Sequence, residues 1–109
     1  MSDVKLILCT FPNTEQARQI GTVLVEKQLA ACVNLVPAVE SIYRWQGKVE
    51  SASEVLAIFK THADLLPAFE QALTELHPYD VPEIIALDPA HVAEPYRHWL
   101  ISSVALPDQ

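Results

Sequence analysis

The chain has 109 residues, enough for one domain around one core, and half of it is apolar. Its formal net charge of −7 repels phosphate backbones and gives no basic footing on anionic lipid, which argues against nucleic acid and membrane surfaces as partners. The opening MSDVKLILCTF lacks the features of a signal peptide, no apolar run reaches spanning length, and two cysteines make no disulfide framework; the reading is a cytoplasmic chain with Cys9 and Cys32 as reduced thiols.

VKLILCTF (4–11) reads as a strand that ends at Pro12, with Asn13 or Thr14 able to cap a helix after it. Ala17, Ile20, Gly21, Leu24 and Gln28 recur at helical spacing, so a helix is predicted to about Leu29. ACVNLVP (31–37) is a second strand, continued after a bend or bulge at Pro37 by the alternating VESIYRW (39–45). Gln46-Gly47 fits a two-residue hairpin turn, and VESASEVLAIFKT (49–61) is the returning strand. A second helix runs to about Leu76 with Leu66, Phe69, Leu73 and Leu76 inward. Pro67 is tolerated there if Asp64 caps and costs a hydrogen bond if Thr61 does. PEIIALDP (82–89) is a fourth strand, and a short last helix from Ala93 or Glu94 carries Tyr96, Trp99 and Leu100.

The whole chain, residues 1–109, therefore reads as one α+β domain of β-α-β-β-α-β order with an extra C-terminal helix. That order is the ferredoxin-like arrangement, an antiparallel sheet with both main helices on one face. No linker, repeat or low-complexity segment interrupts it.

Both faces of the sheet are apolar in sequence. Val4, Leu6 and Leu8 oppose Ile7, Cys9 and Phe11 in the first strand, and Ile84 and Ala86 oppose Ile85 and Leu87 in the fourth. Two helices cover one face only, and a solvated second face would alternate polar residues. The second face is predicted to lie against another subunit. The long hairpin of the second and third strands agrees, because an isolated two-stranded arm is marginal in water. Tyr43 and Trp45 would anchor it on a partner chain.

The segments LCT (8–10), EKQLAACVNLVP (26–37), SIYRWQGKVE (41–50), EVLAIFKT (54–61), HPYDVPEI (77–84) and YRHWL (96–100) resemble the CutA family of divalent-cation tolerance proteins. The resemblance covers nearly the whole chain. It implies ferredoxin-like subunits in a homotrimer, with sheets meeting edge to edge and hairpins reaching across neighbours. It also implies binding of copper or another divalent ion, in metal homeostasis, with no organic cofactor. The proposed ligands are a first-strand thiol, matched here by Cys9, and a histidine before Pro-Tyr, matched by His77. Some members carry a second histidine one position earlier, where this chain has Leu76, so the set is incomplete. By position, the family's polar cluster near subunit contacts looks like Trp45, Glu50, Lys60 and Glu83.

The residues allow two readings of the candidate ligands. Thiolate and imidazole suit copper, and Glu83, six positions beyond His77, could add a carboxylate. Equally, Cys9 is a mid-strand thiol of the kind found in cores, and a charged His77 would favour a helix C-terminus. HPY and VPE also make a rigid turn without any ligand. Cys32 alternates beside apolar neighbours and reads as core; His91 and His98 read as solvated, His98 beside Glu94, and His62 has no evident partner. Lys60 near Glu50 or Glu83 suggests a bridge across a subunit boundary or a small-anion contact. The alternative function is a signalling or scaffolding trimer, similar in architecture to the PII type, whose intersubunit clefts bind a small molecule or partner protein. No motif marks an enzyme, and only Gly21 and Gly47 are present to build a phosphate cradle.

Overall fold

The computed structural model of the protein describes residues 3–107. Val4–Phe11 form β1, Thr14–Glu26 α1, Cys32–Trp45 β2 and Lys48–His62 β3. A single 3-10 turn, Ala63–Leu65, leads into α2, Leu66–Leu76; β4, Ile85–Leu87, and α3, Glu94–Ser102, follow. The strands lie in the order β2-β3-β1-β4 with every pairing antiparallel. The expected element order is the observed one.

Local chemistry explains the boundaries. Asn13 caps α1 by accepting the Gln16 N–H at 2.8 Å. The helix stops at Glu26 rather than Leu29, because Gln28 enters the left-handed region at φ 58° and the N–H groups of Leu29 and Ala30 both turn back to the Leu24 carbonyl. Gln46 and Gly47 both have positive φ, 50° and 79°, which makes the hairpin turn one that matches strand twist. The irregularity at Pro37 is a bulge between Val36 and Val39, with Ala38 at φ 62°. Neither Thr61 nor Asp64 caps the second helical segment. His62 does so, its Nδ1 accepting the Asp64 N–H at 3.0 Å, while Thr61 is buried and donates to the Leu29 carbonyl at 2.6 Å. Pro67 falls in the first turn of α2, where it costs no hydrogen bond.

The core lies under α1 and α2. Ile7, Cys9 and Phe11 of β1 and Val55, Ala57 and Phe59 of β3 share that face, and Ala17, Ile20, Leu24, Phe69 and Leu73 close over them. Phe59 and Phe69 meet edge to face with centroids 5.0 Å apart. Leu76, expected inward, is exposed, because α2 ends there and the next side chain, His77, takes the buried position. The predicted fourth strand shortens from 82–89 to Ile85–Leu87, which pair with Leu8, Ile7 and Leu6. Pro82 and Pro89 flank it and cannot donate to a ladder.

The opposite face carries Leu6, Leu8, Leu56 and Ile58 half-buried, with Val36, Ile85 and Leu87 exposed. α3 covers one end of it, where Leu100 and Val104 pack with Val4, Ala31 and Leu65. Val4 is thus fully buried while Leu6 and Leu8, on its side of the strand, are not. Cys32 is on this open face and not in the core: it pairs across the ladder with Lys60, is half-buried, and has its Sγ 3.5 Å from the Tyr96 hydroxyl. The hairpin stretches the molecule to 46 Å along its longest axis.

Candidate functional site

His77 is pushed into extended backbone, ψ 140°, by the proline that follows it. The chain then turns off α2 and crosses to the root of the hairpin. A cavity of about 710 Å³ opens between the two, with Tyr43, Trp45 and Glu54 on the hairpin side and Tyr79, Asp80 and Glu83 on the other. Thr10 of β1 forms part of the same wall. The Tyr79 hydroxyl donates to Glu54 Oε2 at 2.5 Å. Burial first, and then the Glu54 carboxylate, pushes the Tyr79 phenol well above its ordinary range.

His77 stands behind this wall. Its Nε2 lies 2.8 Å from the Thr10 carbonyl oxygen, which can only accept, so Nε2 carries the proton. Its Nδ1 accepts the Tyr79 N–H at 3.0 Å, so Nδ1 carries none. The ring stacks on Phe11 with centroids 4.6 Å apart and lies tilted against Tyr79 at 4.7 Å. Burial holds its pKa below the ordinary 6.5, against the opposing pull of the Thr10 bond and the Glu54 charge. The imidazole is neutral, so a favourable charge on the helix C-terminus is not its role.

Cys9 is fully buried in the helix-side core. Burial, with added repulsion from Glu83 and Glu54, pushes its thiol up to about 12. A metal requires thiolate and an imidazole nitrogen with a free lone pair. Neither is on offer here: the sulfur is a protonated core group, and both His77 nitrogens are engaged by backbone. Among the described residues no group of three His, Cys, Asp or Glu side chains is placed to hold an ion. As arranged in the single chain, neither Cys9 nor His77 presents a free donor atom to an ion. Glu83 differs from them in being exposed.

The polar cluster is only partly brought together. Trp45 and Glu83 face the same cavity. Glu50 pairs with Tyr43 across the hairpin and is exposed beside the cavity. Lys60 lies on the same sheet face but six strand positions from Glu54, about 20 Å along β3, and it donates to Asn34 rather than to Glu50 or Glu83. His91 and His98 are exposed, and Glu94 pairs with Arg97 instead of His98. Glu54, Tyr79 and Asp80 were not singled out by the sequence. Tyr79 sits inside the HPY motif, which was the available signal, whereas Glu54 has no motif and is recruited only by the fold.

The four-stranded antiparallel sheet, the helices packed on it and the long β2–β3 hairpin define a ferredoxin-like α+β protein with one apolar sheet face partly open. Residues 5–103 match the family described as CutA1 divalent ion tolerance protein, and the chain belongs to that family. It is 47% identical to the divalent-cation tolerance protein CutA of Thermus thermophilus, over 88% of this chain and 93% of that one. It is 46% identical to protein CutA of Mus musculus over 89% of this chain, and spans about half of that relative's length, 55%. Among solved structures, the Cut A1 protein of Thermus thermophilus superposes with a TM-score of 0.90 at 44% identity, covering 94% of this chain and 99% of that one. CutA from Xylella fastidiosa gives 0.92 at 40% identity, covering 95% and 100%.

Proposed function

We propose that the protein acts in divalent-cation tolerance as a cytoplasmic homotrimer that binds copper or another divalent ion weakly, by association and not by catalysis. The carrying observation is the sheet face of Leu8, Ile58, Val36, Ile85 and Leu87, apolar and half-buried or exposed in the single chain, which a second copy would cover. Of the three candidate ligands, Glu83 is the accessible one, and a single carboxylate completed by water holds an ion loosely. Calorimetric titration of Cu(II) and Zn(II) into reduced protein tests this, repeated with Glu83→Gln, Cys9→Ala and His77→Ala. Loss of the binding heat with Glu83→Gln alone supports the reading. Equal heat from all four proteins removes Glu83, and loss with Cys9→Ala or His77→Ala restores the buried pair.

A second reading is favoured by the cavity itself. Trp45 and Glu83, two members of the expected polar cluster, meet at one 710 Å³ space with two tyrosines. A signalling or scaffolding trimer that takes a small molecule or a partner segment there would use those groups, with Glu50 at the margin and Lys60 supplied from a neighbouring copy. A crystal structure of the assembly in which this space is filled by protein would count against it.

A further inference from the structure

The geometry points to His77 as a positioning residue: a neutral imidazole that locks the turn after α2 and, through Tyr79, holds Glu54 in the cleft wall, instead of ligating an ion. His77 does not line the cavity. Three residues that do line it are joined through its ring. Thr10 of β1 receives the Nε2–H, Tyr79 gives its N–H to Nδ1, and the Tyr79 hydroxyl reaches Glu54 of β3. Three segments far apart in sequence are thereby fixed in one wall by one side chain.

Each contact admits a single protonation state. The Thr10 carbonyl needs a proton on Nε2, and the Tyr79 N–H needs a bare lone pair on Nδ1. A proton on Nδ1 would set two donors against each other, and an ion on either nitrogen would displace a backbone partner. Phe11 stacks on the ring and Tyr79 lies tilted against it, so the imidazole cannot swing out without losing both contacts. Tyr79 follows because its backbone is pinned two residues from the ring that pins it. The relay belongs to the chain alone. It stands with an ion held at Glu83 or with none, it falls if His77 itself ligates an ion, and only its consequence for a bound molecule rests on the cleft reading.

The two contacts can be separated by substitution. In His77→Asn the side-chain oxygen can accept the Tyr79 N–H two residues on, as asparagine does in turns, while the Thr10 bond is lost. In His77→Gln the longer amide can reach Thr10 but no longer closes the turn. The readout is the titration of Tyr79, resolved from Tyr43 and Tyr96 by carbon NMR of labelled tyrosine. Tyr79 is expected to stay raised in wild type and His77→Asn, and to fall by about one pH unit or more towards an ordinary phenol in His77→Gln. A purely structural histidine would leave Tyr79 alike in both folded variants, and that result overturns the assignment. Nitrogen NMR of the wild-type imidazole needs no variant. It should report protonated Nε2 and bare Nδ1 at neutral pH, unaltered by added Cu(II) or Zn(II). The other tautomer, an imidazolium at pH 7, or selective loss of the His77 signal on adding Cu(II) would each refute it.

Discussion

Tyr79 donates its hydroxyl to Glu54 Oε2 at 2.5 Å, tying the turn after α2 to the root of the hairpin. The two residues are 25 positions apart, and both are partly withdrawn from water. A hydrogen bond to an ionised acceptor in such a place contributes more than a neutral surface one. Tyr79→Phe keeps the ring against His77 and removes only the donor. Unfolding by denaturant at fixed chain concentration is expected to show a loss of about 1–2 kcal/mol. An unchanged midpoint would mean that water replaces the bond at no cost.

His77 makes stability depend on pH in a defined direction. Burial lowers its pKa from 6.5 in the fold, so below that value the unfolded chain takes up a proton more readily than the native one. Its contribution is complete above pH 6.5 and is lost as pH falls from there towards the depressed folded value. Asp3, lowered chiefly by its bond with Arg97, titrates below 3.8 and stays outside this window. Denaturation midpoints between pH 7 and 5 should therefore fall for wild type and fall less for His77→Asn. Equal slopes for the two proteins would place the pH dependence elsewhere.

What was legible in the sequence is what local pattern controls. The helical spacing of Ala17, Ile20, Gly21 and Leu24, the turn at Gln46-Gly47 and the break at Pro37 all act over a few residues, and the elements stand where they put them, except that α1 stops at Glu26 before Gln28. The two-sided apolar pattern of β1 also survived as an uncovered face. Cys32 reads as the plainer core residue and yet Cys9 is the buried one, because alternation tells which residues share a face and not which face the helices cover. Leu76, the last residue of α2, is exposed while His77 beyond it is buried, because the proline after His77 holds its backbone extended and carries the imidazole inward. Glu54 entered the site through a tertiary contact that no local spacing encodes.

Ala38 is a strained point of the hairpin. Its φ of 62° at the bulge lies in the left-handed region, which disfavours a side chain bearing Cβ. Ala38→Gly removes about 1 kcal/mol of that strain and gives part of it back through the more flexible unfolded chain. The expected net effect is a small gain, about 0.5 kcal/mol or less. Ala38→Val places a branched side chain there and should cost about 2 kcal/mol or more relative to alanine. Both are read from denaturant midpoints. A valine variant as stable as the parent would show that the bulge relaxes to ordinary strand geometry.

Ile85 separates folding from assembly. It is 48% exposed on the open sheet face of the single chain, in β4 opposite Leu8. A charge at such a position costs a lone subunit little, since the carboxylate reaches water. Covered by a second copy, the same charge is buried without a partner, and the cost rises to several kcal/mol per site. Ile85→Glu is therefore expected to leave the circular dichroism of the fold unchanged while the mass by light scattering drops from that of the proposed trimer to that of one chain. If the variant keeps the parent's mass and stability, Ile85 is not covered, and copies must meet through another surface such as the hairpin. If the parent itself scatters as a single chain at micromolar concentration, the trimer is ruled out and the apolar face needs a different partner.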